Sequence, residues 1–234
     1  MKHAWMLHVP AIVFAGTLGS AQANSFRLES NTIVFDEAAG RATLNVKNES
    51  TEPLLLVSEL KDLPGDNLAA RFLVSPPVTR IDPGNTQLIR FRLKKGQALD
   101  REWLLKASFE GVPPRKTGGT RIAVRQEIGF IVQPKRLRPN AQPWRALYWR
   151  REGADLVLHN PGEHVVRLAP QMTLLPSGKT VTLGQLYVRA GETVRSPLPE
   201  DAGDVTTLRI TPFSRQAYAL PVFDIADSRL PGLP

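Results

Sequence analysis

Apolar and polar residues alternate in short runs along most of this 234-residue chain, and helical spacing is nearly absent. In residues 41–48 the side chains of Ala42, Leu44 and Val46 fall on one face and polar groups on the other. The same period of two recurs over 87–93, 103–109 and 120–128. Side chains that point alternately to opposite sides make half-buried strands, and Pro, Gly, Asn and Asp separate these runs. The pattern predicts an antiparallel β-sandwich.

Prolines Pro134 and Pro139 with the charge run Lys135-Arg136-Leu137-Arg138 interrupt it. Proline cannot donate to a central ladder, so this stretch reads as a boundary. Alternation then resumes over 154–159, 164–168, 171–175, 185–188, 205–210 and 216–220, with turn signals at Asn160-Pro161-Gly162, Pro176-Ser177-Gly178 and Ala190-Gly191. The expected division is a first β-domain at 24–134, a linker at 135–139 and a smaller β-sandwich at 140–234.

The first 23 residues stand apart. Lys2 precedes an apolar stretch from Met6 to Gly19, and Ala21-Gln22-Ala23 supplies the small-x-small pattern of a cleavage site. This predicts a secretory signal peptide at 1–23 and a mature start at Asn24. No later run is long and apolar enough to span a bilayer, so no membrane insertion is expected after its removal. The chain has no cysteine, and each exported domain must be held by its own core.

Charge narrows the partners. The formal net charge is +8, yet the basic residues Arg41, Lys47, Arg90, Arg92, Arg121 and Arg125 are spread through strand-like segments. Nucleic acid is not expected as a partner of such a scattered surface outside the cytoplasm. Catalytic chemistry finds little support. Beyond the signal only His159 and His164 remain, flanking a turn, with no carboxylate or cysteine set to complete a metal site. Gly-x-Ser-x-Gly and phosphate-cradling glycine motifs are absent, Ser108 and Ser196 lack a histidine at motif spacing, and Asp100, Glu102 and Glu110 read as strand-end acids. No catalytic residue, metal or cofactor is expected.

One run carries more. Phe72-Leu73-Val74-Ser75-Pro76-Pro77-Val78-Thr79-Arg80-Ile81-Asp82-Pro83-Gly84 places a strand, a proline pair, a second strand and a Pro-Gly turn in sequence, followed by Gln87-Leu88-Ile89-Arg90. With Ile33-Val34-Phe35-Asp36, Asp100-Arg101-Glu102, Val112-Pro113-Pro114 and Leu158-His159-Asn160-Pro161, it resembles the periplasmic chaperones of the chaperone–usher pilus pathway. The resemblance covers nearly the whole mature chain and is strongest over 72–114. It implies an all-β protein of two immunoglobulin-like sandwiches in an L or boomerang arrangement, acting in the periplasm. Its partners would be pilin subunits and an outer-membrane usher, and a self-capping dimer is open.

By that resemblance the last strand of the first domain, about Thr120 to Glu127, is lent to a pilin that lacks one strand. Thr120, Ile122 and Val124 would fill the pilin groove; the alternative is that Ile122 and Val124 are ordinary core residues of the first domain. The connection over 110–119 is short, as in members that assemble rigid or thicker pili. Family members also hold the pilin's terminal carboxylate with an arginine in the first strand and a lysine in the last, but here Thr32 and Gly129 stand there. Arg90, Arg92, Arg125 and Lys135, with Arg136, are the candidates for a moved anchor, Arg90 foremost. Gln133 replaces a common linker arginine, and residues 207–213 depart from the family's Asp-Tyr-Gly-Gly-like turn. The competing function is an exported two-domain β-sandwich binding or adhesin-like protein without chaperone activity.

Overall fold

The computed structural model describes residues 26–114 and 122–227; the expected signal segment and Thr120 lie outside them. Within that range the chain is β-structure, relieved by short 3-10 turns at Ala69–Arg71 and Pro143–Ala146.

The first domain holds β1 (Phe26–Leu28), β2 (Thr32–Asp36), β3 (Arg41–Asn48), β4 (Leu54–Lys61), β5 (Phe72–Ser75), β6 (Val78–Ile81), β7 (Thr86–Leu93), β8 (Trp103–Val112) and β9 (Val124–Gln133). They form two layers. One is β1-β3-β7-β5 and the other β2-β9-β8-β4-β6, joined among the described residues at the hairpin where Asp36 faces Arg41. Inward positions follow the sequence period: Leu44 and Val46 on β3, Ile89 and Phe91 on β7, Phe130 and Val132 on β9 are all buried. At the centre, Phe72 meets Phe35 edge-on at 5.0 Å and Phe130 at 5.3 Å, while Phe91 lies 5.1 Å from Phe130. Each such pair adds about 0.5–1.5 kcal/mol beyond area burial.

Two segments change layer. Pro76 and Pro77 cannot donate to a ladder, so the chain stops pairing with β7 at Ser75 and starts pairing with β4 at Val78. The following turn needs Gly84, whose φ is +75°, and its N–H bonds to the Asn48 carbonyl at 3.0 Å. Asn48 is fully buried; its amide donates to the carbonyls of Glu52 and Ile81, and its oxygen accepts from Ser50. The N-terminal segment makes the second crossing. β1 pairs with β3, the chain bends over 29–31, and β2 then lies parallel to β9 in the other layer.

The second domain holds β10 (Tyr148–Glu152), β11 (Asp155–His159), β12 (Val166–Arg167), β13 (Gln171–Leu175), β14 (Lys179–Thr182), β15 (Tyr187–Val188), β16 (Thr193–Pro197), β17 (Thr207–Ile210) and β18 (Phe223–Ala226). Sheets β10-β11-β16 and β14-β13-β17-β18, with the short pair β12-β15, enclose Trp149, Leu158, Met172, Leu174 and Leu208. The buried Trp149 indole donates to the Ile225 carbonyl at 2.8 Å. The structure departs from the alternation here: 216–220, expected as a strand, is a turn with Ala217 at φ +67° and one isolated bridge to Phe213. The β17 partner is β18 instead. Alternation over five residues cannot tell a strand from a turn in which only Ala217 and Leu220 are half-buried.

Candidate functional site: a free strand edge beside the interdomain cleft

Strand β9 is covered unevenly. β8 pairs with it from Val124 to Val132, but β2 joins its other side only from Gly129 onward, where Thr32 stands opposite. The bend at 29–31 diverts the chain toward β3, so among the described residues no strand pairs with the outer edge of Val124 to Ile128. An unpaired edge presents a row of N–H and C=O groups ready for another strand. Ahead of it Ile122 is 74% exposed and outside any strand. Val124 and Ile128 are half-buried against the first-domain core, and the Gln126 amide bonds to the Phe26 carbonyl at 2.8 Å. The opposite face carries paired charge. Arg125 grips Glu110, which raises the arginine's pKa further, and Glu127 lies 3.4 Å from Lys61 and 3.5 Å from Lys106.

The free edge ends at the junction of the domains. There Leu63, Leu104 and Ile131 of the first domain pack with Val165 of the second. Glu102 is buried at this seam; its Oε1 takes a hydrogen bond from Arg215 Nη2 at 2.6 Å and its Oε2 one from the Val165 N–H at 2.9 Å. Burial raises the Glu102 pKa, and the Arg215 charge is the largest effect opposing it. Farther along, Arg189 reaches the Pro64 carbonyl and Asp66.

Arg167 differs from these. It is half-buried, and its Nη1 donates to Thr32 Oγ1 at 2.6 Å and to the Arg215 carbonyl at 3.1 Å. No carboxylate lies within ion-pair distance of it among the described residues. Burial alone lowers its pKa. A Cβ built on Gly129 would sit 3.7 Å from the same Nη1. Nearby, the Arg215 Nε is buried without a partner.

The family model for the pili and flagellar-assembly chaperone, PapD N-terminal domain, matches residues 25–138. The uncharacterized fimbrial chaperone YhcA of Escherichia coli K12 is 32% identical over 213 residues, covering 90% of this chain and 94% of that protein. The chain belongs to the pilus-assembly chaperone family. This chaperone shares its fold with solved members. The E. coli chaperone DraB covers 87% of it, with 98% of DraB aligned, at a TM-score of 0.73 and 24% identity. The SafB chaperone of Salmonella enterica, solved with the SafA pilin, covers 88%, with 98% of that chain aligned, at a TM-score of 0.74 and 23% identity.

Of the basic residues expected from the sequence, none stands beside Thr32 and Gly129 in this chaperone. Arg90 and Arg92 alternate with the buried Ile89 and Phe91, so they project from the outer face of the opposite layer, away from the cleft. Arg125 is engaged by Glu110, Lys135 is exposed on the linker, and Arg136 pairs with Glu163. Among the groove candidates, Ile122 is free, Val124 touches the core, and Thr120 falls outside the described residues. The two histidines have everyday partners: His159 meets Thr193 Oγ1 and His164 the Arg138 carbonyl. Arg167 and Arg215 were not singled out from the sequence. The signal for Arg167 was present, because it sits between Val166 and Leu168, both buried in the second-domain core, and so points the other way.

Proposed function

We propose that this chaperone holds pilin subunits in the periplasm by pairing the free half of β9 with an incomplete pilin sandwich, and passes them to an outer-membrane usher. It performs no catalysis. The observation that carries this reading is the unpaired edge of Val124 to Ile128 with Ile122 exposed just ahead of it. Strand addition of this kind satisfies backbone groups on both partners, while alternate side chains enter the partner's groove; the mode is taken over from the family. Transfer of the exposed Ile122 side chain into such a groove is worth about 1.5–3 kcal/mol. SafB, of the same fold, was solved with a pilin, and the export signal read at 1–23 supports the compartment.

The test is recovery of the tagged full chain from the periplasm of its pilin-expressing host, with mass spectrometry of what accompanies it. A one-to-one complex with a small exported β-rich polypeptide is expected, lost in Ile122→Asp while the variant keeps the wild-type melting temperature. Val124→Asp combines lost binding with lost stability, because Val124 touches the core. Recovery of the protein alone favours an exported binding or adhesin-like module, and full pilin binding by Ile122→Asp ends the strand-lending reading.

A further inference from the structure

We propose that Arg167, contributed by the second domain, is the anion anchor of this chaperone, and that it takes the C-terminal carboxylate of the strand seated along β9. The proposal rests on the strand-lending reading above.

The first argument is charge. A partly buried cation without a counterion is unfavourable, and proteins pair such groups. The other interface arginines obey this: Arg215 has Glu102, Arg189 has Asp66 and Glu192, and Arg136 has Glu163. Among the described residues Arg167 has only neutral acceptors, the Thr32 hydroxyl and the Arg215 carbonyl. Both of these bonds use Nη1, which leaves the Nε and Nη2 edge, the fork that grips a carboxylate with two parallel bonds. The buried, unpartnered Nε of Arg215 adds a second unsatisfied donor to the same cleft.

The second argument is position. Thr32 is the first residue of β2 and pairs with Gly129, the first covered residue of β9. Arg167 therefore stands where the free lane along β9 runs into β2. A strand in that lane meets the guanidinium with one of its ends. If it runs parallel to β9, as β2 does, that end is its C-terminus and the carboxylate is attracted. If it runs the other way, an ammonium is repelled. The charge selects the parallel strand and a free carboxylate at its end.

The third argument is space. Gly129 has no side chain, and the Thr32 hydroxyl holds the guanidinium from the other strand. The absence of a basic pair on β2 and β9 makes room for one cation that arrives from the neighbouring domain.

The experiment uses the full chain co-expressed with the host's own pilin subunit, and a second pilin extended by Gly-Ser-Gly beyond its natural C-terminus. Arg167→Ala is expected to weaken the natural pilin roughly ten- to a hundredfold, the value of a charge-assisted contact, with Arg167→Lys intermediate. The extended pilin should bind the wild-type chain equally weakly and lose nothing more with Arg167→Ala. Arg209→Ala, which removes a surface partner of Asp224, should bind like wild type. Wild-type affinity in Arg167→Ala, or effects of variant and extension that multiply, overturns the anchor. So does a fall in melting temperature in Arg167→Ala that Arg167→Lys reverses together with full binding, since that assigns Arg167 to domain docking. Ile122→Asp separates the two readings: if it abolishes binding while Arg167→Ala does not, only the anchor fails. If neither variant matters, strand lending fails and the anchor with it.

Discussion

Replacing Glu102 with alanine should loosen the two domains from each other. The carboxylate is buried and accepts one hydrogen bond from the Arg215 guanidinium and one from the Val165 N–H, both across the seam. Removing it takes away a charge-assisted contact and leaves a mostly buried Arg215 uncompensated, its Nε already unpartnered. Breaking one side of a buried pair costs about 3–5 kcal/mol, and the residual exposure of Arg215 argues for the lower end, about 3 kcal/mol. For a chain of this size that is a fall of roughly 6–12 °C in the melting temperature. Calorimetry at neutral pH measures it. Glu163→Ala is the control, because its partner Arg136 is solvent-exposed and surface pairs of that kind contribute under about 1 kcal/mol. A Glu102→Ala melting temperature within 2 °C of wild type, or no larger a change than in Glu163→Ala, would refute the assignment of this pair to domain docking.

Three further outcomes follow from the same structure. Glu102 should make stability depend on pH in a defined direction: burial raises its pKa from 4.5 against the opposing pull of Arg215, Val165 and His164. Its protonated form favours the folded chain, so this contribution is complete below pH 4.5 and is lost as pH rises through the raised value. The stability of wild type relative to Glu102→Gln should fall across that window, and a flat or rising difference in acid-range melting curves contradicts it. Two glycines of the same layer should respond oppositely to alanine in urea unfolding. Gly111→Ala drives a Cβ to 2.9 Å from the Phe26 ring and should destabilise by about 1–3 kcal/mol, whereas Gly129→Ala meets nothing closer than 3.7 Å and should stabilise by about 0.5–1 kcal/mol. Asn48→Ala strands the Glu52 and Ile81 carbonyls at the layer-crossing corner and should lose about 3 kcal/mol, measured the same way.

Much of the first domain was legible because its strands obey a strict period. The Leu44 and Val46 row and the Ile89 and Phe91 row bury the side the alternation assigns, while the strand over 103–109 is buried on both faces. Gly84 and the proline pair mark the crossing between layers for reasons local to those residues. The cleft was not legible in the same way. Thr32 and Gly129 show only that a basic pair is missing from two strands; the residue that fills the space is separated from Thr32 by 135 positions. Pair geometry across such a separation is a product of domain docking, which no local pattern encodes. Arg90 illustrates the limit from the other side. Its strand and its outward direction can be read from its neighbours, but the layer it faces depends on the crossing at Pro76 and Pro77.

The place where β2 joins β9 also acts as a wall. From Val124 to Ile128 the open lane is five residues, about 16 Å at the rise of a strand, and Thr32 closes it. A strand entering such a lane is measured from its end, like a rod pushed to the bottom of a socket. Register, elsewhere chosen by the fit of side chains, is set there by where the chain stops.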